Sequence, residues 1–182
     1  SAQRTCACRS DGCPAHLRAA TAAATAAGVP LATVARALGD FRAVQGRMQP
    51  RAGRHGARVI DDSYNANPDS AIAAIDVLAA APAPRVLVLG DMGEVGELGP
   101  AFHDEIGRHA RDSGIERLLA VGPLARAAAR AFGPGAEHFD SVDALIARIQ
   151  GIVASRPTVL VKGSRFMRME RVVEHIVETG AA

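Results

Sequence analysis

The chain has 182 residues, a formal net charge of +2, 48% hydrophobic residues, no Trp, one Tyr and five Phe. That is the size of one ordinary domain, or one domain plus a fragment, with enough Ala, Val, Leu and Ile to build a core. The small charge and the lack of a basic run interleaved with aromatics argue against nucleic-acid binding, and no stretch reaches the ~18 apolar residues of a membrane span. The N-terminus lacks the basic-then-apolar pattern of a secretory signal. Cys6, Cys8 and Cys13 are odd in number and crowded together, so they form no disulfide framework, and a cytoplasmic, reducing location is expected.

Residues 1–16 are irregular. Cys6, Cys8, Cys13 and His16 have the spacing C-x-C-x4-C-x2-H, which is not a common ligand spacing, so no metal site is expected. An Ala/Thr-rich helix is predicted over 17–27, stopped by Gly28 and Pro30, and a second short helix over 31–38, with Leu31, Val34, Ala35 and Leu38 at helical spacing. This pair can bury its apolar face only against a following domain or another chain. Residues 39–56 form a polar, Gly- and Arg-rich connector in which Phe41 and Val44 are the expected anchors and Gly46-Arg47 opens a short strand or bend.

The stretch 59–70, VIDDSYNANPDS, reads as strand, polar turn and helix start. Val59 and Ile60 suit a buried strand. Asn67 is placed to cap the next helix, Pro68 fits its first position, and Asp69 puts negative charge at the positive end of its dipole. The helix that follows presents Ile72, Ile75, Leu78 and Ala79 on one face, and Pro82 and Pro84 end it. The run 85–90, RVLVLG, has the continuous apolar character of a central parallel strand and leads into a flexible acidic loop, 90–97. Gly99-Pro100 starts a helix to about 113, in which His103 and His109 lie six apart and cannot share a face as a metal pair, so both read as packing or surface residues.

Further strands are predicted at 118–122, 138–140 and 158–162, with helices at 123–132, 142–153 and 167–178. In the second of these, Val142, Leu145, Ile146, Ile149 and Val153 recur at amphipathic spacing behind a Ser141 cap. The alternation implies a mostly parallel, six-stranded α/β sheet covered by helices on both faces, preceded by a short helical segment. Although the layout is Rossmann-like, no strand is followed by G-x-G-x-x-G. The P-loop pattern G-x-x-x-x-G-K-[ST] is absent too, because Lys162, the one lysine among 21 basic residues, follows Leu160-Val161.

Four pieces carry a resemblance: Gly46-Arg47-Met48, the run 61–70 (DDSYNANPDS), the run 90–94 (GDMGE) and the run 162–170 (KGSRFMRME). In this order they resemble the C-terminal domain of the UDP-N-acetylmuramoyl-tripeptide–D-alanyl-D-alanine ligases of the Mur ligase family, from about residue 31 onward. The resemblance implies a boundary at residues 41/42, with 1–41 holding the end of a central ATP-binding domain and 42–182 the C-terminal domain. Where the family would have a Gly-Arg-His-Asn-like segment, this chain has residues 14–18, PAHLR; an artificial boundary or a reading-frame scar would explain that mismatch.

The function implied is one part of an ATP-dependent, amide-forming ligase of peptidoglycan biosynthesis, which adds D-Ala-D-Ala to UDP-N-acetylmuramoyl-tripeptide. ATP and Mg²⁺ would serve the full enzyme. The phosphate cradle would lie in the central domain and the carbohydrate-nucleotide end would be held by an N-terminal one. This domain would be a lid that closes over ATP and presents the dipeptide, binding no cofactor tightly and inactive alone. Implied nucleotide contacts are Arg47, Asp62 (to ribose hydroxyls), Tyr64, Asn65 and Asn67. Implied dipeptide contacts are Asp91, Met92, Glu94, Lys162, Ser164 and Arg165, with Arg165 or Lys162 for the carboxylate and Asp91 or Glu94 for the ammonium. Phe166 departs from the small residue expected there. The competing reading is a stand-alone α/β module for a small ligand or nucleotide.

Overall fold

A computed structural model describes residues 15–40 and 44–178. The chain divides into two units, residues 1–42 and 43–182. The first holds α1 (Ala15–Ala26) and α2 (Leu31–Asp40), joined through Gly28 in a left-handed conformation, φ +83°. Val34 is the buried residue of α2, while Leu31 is 63% exposed. The expected anchor Phe41 and the cysteines at 6, 8 and 13 lie outside the described residues.

The second unit is a six-stranded sheet in the order β1-β2-β6-β3-β4-β5. The strands are β1 (Gln49–Ala52), β2 (Arg58–Asp62), β3 (Arg85–Gly90), β4 (Arg117–Val121), β5 (Ala136–Phe139) and β6 (Thr158–Lys162). All neighbours run parallel except β1, which pairs antiparallel with β2. The intervening helices are α3 (Pro68–Ala79), α4 (Gly99–Asp112), α5 (Ala125–Phe132), α6 (Val142–Ile152) and α7 (Glu170–Ile176).

The strand sequences explain the two-faced core. In β3, Leu87 and Leu89 point to one face and Val86 and Val88 to the other, as the period of two demands. The leucine face joins Leu118, Ala120 and Leu160 against α3, α4 and α5, with Ile75, Leu78, Ile106 and Phe132 among the buried residues. The valine face joins Val59, Leu119, Val121, Val159 and Val161 against α6 and α7, through Leu145, Ile149, Val172 and Ile176. Strand β6 is buried along its whole length, as befits a central strand covered on both faces.

The short strand or bend expected from Gly46-Arg47 is the edge strand β1, which opens at Gln49. Three expectations need correction. Val44 is 57% exposed and anchors nothing. The last helix starts at Glu170 rather than 167, because residues 165–167 make a tight 3-10 turn and Arg168 adopts φ +50°. The 90–97 loop is also partly ordered, ending in a short 3-10 turn at Gly96–Leu98.

Candidate functional site

Strands β2, β6 and β3 are neighbours and end side by side, at Asp62, Lys162 and Gly90. The chain leaves β2 and β3 toward α3 and α4 on one face of the sheet, and leaves β6 toward α7 on the other. Divergence of neighbouring connections opens a crevice beyond the strand ends, where ligands bind in open α/β sheets. Residues 61–67, 90–95 and 162–166 gather there.

The floor of this crevice is polar yet buried. Lys162 is 2% exposed; its ammonium pairs with the Asp62 carboxylate and also donates to the Asn65 carbonyl at 3.2 Å. The other Asp62 oxygen accepts from the Met48 N–H at 3.1 Å, which pins the Gly46–Arg47 segment to the end of β2. Asp61 accepts from both the N–H (3.2 Å) and hydroxyl (2.6 Å) of Ser63, closing the first turn after the strand. Ser164 ties the three strand ends together. Its N–H donates to the Asp91 carbonyl at 3.0 Å. Its Oγ accepts from Gly93 N–H at 2.7 Å and donates to the Ala66 carbonyl at 3.3 Å.

The acidic loop is fixed from below. The Asp91 carboxylate is buried and accepts from Ala125 N–H at 2.7 Å, satisfying one free donor of the first turn of α5. Only glycine fits opposite it: at Gly122 a Cβ would stand 2.5 Å from that carboxylate, and φ is +110°. Met92 is fully buried, and its N–H donates to Nε2 of His103 at 3.1 Å. His103 Nδ1 in turn donates to the Gly99 carbonyl at 2.7 Å, so one ring clasps both ends of the loop. This arrangement requires the neutral Nδ1–H form, and burial pushes the His103 pKa below its ordinary value.

The rim is different. Tyr64, Asn65, Gly93, Glu94, Ser164, Arg165 and Phe166 line an open cleft of about 460 Å³, within the usual range of small-molecule sites. Tyr64 is 42% exposed, with the guanidinium carbon of Arg47 at 4.5 Å and that of Arg165 at 5.3 Å from its ring centre. Both are cation–π distances. Arg165 has one further partner, Glu170 at 3.9 Å. Glu94 is exposed, holds φ +59°, and has no side-chain partner among the described residues. A left-handed non-glycine residue beside a cleft is a strained position of the kind that clusters at functional sites.

The implied site residues thus separate into two layers. Arg47, Tyr64, Asn65, Glu94 and Arg165 face solvent at the rim. Asp62, Asp91, Met92, Lys162 and Ser164 lie beneath, bonded within the protein. Lys162 does not present its charge for a substrate carboxylate, nor Asp91 for an ammonium, because each is buried against a protein partner. Asn67 is exposed but its side chain accepts from Ser70 N–H at 2.8 Å, closing a capping box with Ser70 Oγ. The sequence marked His103 only as a packing or surface residue and gave Asp61 and Gly122 no separate role; no local signal distinguishes a clasping histidine from a packing one. Among the described residues, no group of three His, Cys, Asp or Glu side chains is placed to hold a metal ion. No helix among them is long and apolar enough to cross a membrane.

Comparison with known proteins is consistent with this geometry. Residues 46–165 match the family model described as "Mur ligase, glutamate ligase domain". The chain is 42% identical over 168 residues to the UDP-N-acetylmuramoyl-tripeptide–D-alanyl-D-alanine ligase of Escherichia coli K12, covering 91% of this chain and 37% of that enzyme. The enzyme of the same name from Bacillus subtilis is 29% identical over 168 residues, with 88% and 37% covered. Among solved structures, MurF from Acinetobacter baumannii superposes with a TM-score of 0.79 at 30% identity, over 87% of this chain and 35% of that one. The MurF ligase of Thermotoga maritima, solved in complex with ADP, gives 0.67 at 27% identity, over 80% and 35%. The chain spans little more than a third of the length of these relatives. With the family model lying across all three strand ends of the cleft, the chain belongs to the Mur ligase family, through its glutamate ligase domain.

Proposed function

We propose that this chain acts as the dipeptide-presenting and lid domain of an ATP-dependent ligase that joins D-Ala-D-Ala to UDP-N-acetylmuramoyl-tripeptide in the cytoplasm, during peptidoglycan synthesis. The observation that carries the reading is the chemistry of the rim. A cation, Arg165, and a carboxylate without a side-chain partner, Glu94, line one cleft, as a zwitterionic dipeptide requires. Arg165 receives the dipeptide carboxylate and Glu94 its ammonium. Arg47, Tyr64 and Asn65 form the side toward the nucleotide. Asp62, Lys162, Ser164, Asp91 and Met92 hold those groups in place from below, and Asn67 caps α3 behind them.

Amide formation from a carboxylate needs phosphoryl transfer to that carboxylate, then attack by the amine. Phosphate cradling and charge stabilisation do most of this work. The sequence contains no P-loop, so in this reading ATP, Mg²⁺ and the phosphate cradle belong with a central domain. The residues of this chain bind and orient the dipeptide and help to close the site. Residues 1–41 are then the end of that central domain. The isolated chain forms no product above a no-enzyme control.

Titration of the ¹⁵N-labelled chain with D-Ala-D-Ala, read by amide shifts, tests the proposal. Binding no tighter than about millimolar, or −4 kcal/mol, is expected, since the open cleft leaves the contacts solvated. Gly93, Glu94, Ser164 and Arg165 respond first. Tight ATP binding with no dipeptide response favours the stand-alone nucleotide module instead.

A further inference from the structure

Two of the large apolar side chains exposed in the second unit are aromatic, Tyr64 and Phe166, and both line the same cleft. Phe166 is 63% exposed although its neighbours are firmly held: Ser164 is bonded to all three strand ends, and Met169 is fully buried. The ring is propped as well. At Gly93 a Cβ would come within 3.0 Å of Phe166 Cε1, so the ring lies directly on the bare backbone of the loop that carries Glu94. A phenyl face kept in water on a rigid turn, between Arg165 and Glu94, is an apolar wall awaiting an apolar group.

We infer that Phe166 is a specificity-determining residue: its ring limits the size of the side chain on the carboxyl-terminal residue of the incoming dipeptide. The inference rests on the dipeptide reading above. Arg165, which receives the carboxylate in that reading, lines the same cleft as Phe166, so the side chain beside that carboxylate shares the cleft with the ring. On this inference a methyl group is accommodated against the face and a branched four-carbon group is not. Discrimination of this kind amounts to roughly tenfold or more per unaccommodated methylene.

The chain supplies its own probe. It has one tyrosine and no tryptophan, so Tyr64 reports alone from the cleft wall. Tyr64 emission, checked by the amide shifts of Glu94 and Arg165, is followed while D-Ala-D-Ala or D-Ala-D-Leu is added to the full chain, to Phe166→Ala and to Phe166→Leu. The unaltered chain is expected to prefer D-Ala-D-Ala by about tenfold or more, and Phe166→Ala to bring the two within about threefold of one another by gaining affinity for the leucyl dipeptide. Phe166→Leu falls between them and decides the matter if the alanine variant does not fold. An unchanged ratio with both dipeptides still bound overturns the inference and leaves the dipeptide reading standing. No response to either dipeptide in any of the three proteins overturns both.

Discussion

The floor and the rim of the cleft are built from the same three loops, yet they use charge in opposite ways. On the floor, Lys162, Asp62 and Asp91 are buried and each is matched by a partner within the chain. On the rim, Arg47, Glu94 and Arg165 are exposed and held loosely or not at all. A buried charge must be paired because water no longer solvates it, whereas an exposed one is free to meet a ligand. Charge in a motif is therefore no guide to contact with a ligand until its depth is known. Substitution on the floor should cost stability; substitution on the rim should cost binding.

The sharpest break in that contrast is Lys162→Met, which strands the Asp62 carboxylate against the sheet end. A loss of about 3–5 kcal/mol is expected in urea unfolding. The double variant Lys162→Met/Asp62→Leu should recover much of it, since removing both charges leaves none unpaired. A single variant as stable as the parent would place Lys162 on the rim side of the comparison.

Asp91→Ala comes next. It removes the acceptor for Ala125 N–H at the start of α5, with an expected loss of about 1–3 kcal/mol from an unsatisfied buried donor. The thermal midpoint should fall, and amide protection in the first turn of α5 with it; unchanged protection there would contradict the assigned bond.

Acidification sharpens the comparison further. Burial lowers the His103 pKa in the folded chain, so the folded state resists protonation while the unfolded chain takes up a proton near its ordinary value of about 6.5. The stability contributed by neutral His103 is present above that pH and is lost as pH falls toward the folded value. Unfolding midpoints at pH 7.5 and 5.5 should differ, and His103→Leu should shrink the difference while weakening the Met92 clasp at both.

The smallest effect on stability belongs to the rim. Arg165→Ala should change unfolding free energy by no more than about 0.5 kcal/mol, as exposed substitutions do, yet abolish the D-Ala-D-Ala response of Glu94 and Ser164. A large loss of stability with binding retained would invert the floor and rim assignments.

Local signals were read well. Asn67, Pro68 and Asp69 announce the start of α3 because capping chemistry lies within four residues of sequence, and the apolar runs of β3 and β6 announce themselves by length. Strand β1 announces itself only as a short strand or bend near Gly46-Arg47, since an edge strand needs only one partner and its residues, Gln49, Pro50, Arg51 and Ala52, carry no apolar run. Among the site residues, type and neighbourhood were legible but depth was not. Nothing near Lys162 reveals that its partner stands 100 positions earlier, nor anything near Asp91 that a helix 34 positions later needs its carboxylate.

The place of β6 also bears on how the molecule comes into being. This strand, the last among the described residues, is inserted between β2 and β3, pairing Thr158 with both Arg58 and Arg85. During synthesis, β1-β2 and β3-β4-β5 must therefore wait as separate pieces, each with an open strand edge, until residues 158–162 have left the ribosome. Such long-range closure slows folding, and unpaired edges invite mispairing with other chains meanwhile. The strand that completes the cleft is also the one that joins the two parts of the sheet, so a nascent chain completes its cleft and covers two open strand edges in the same step.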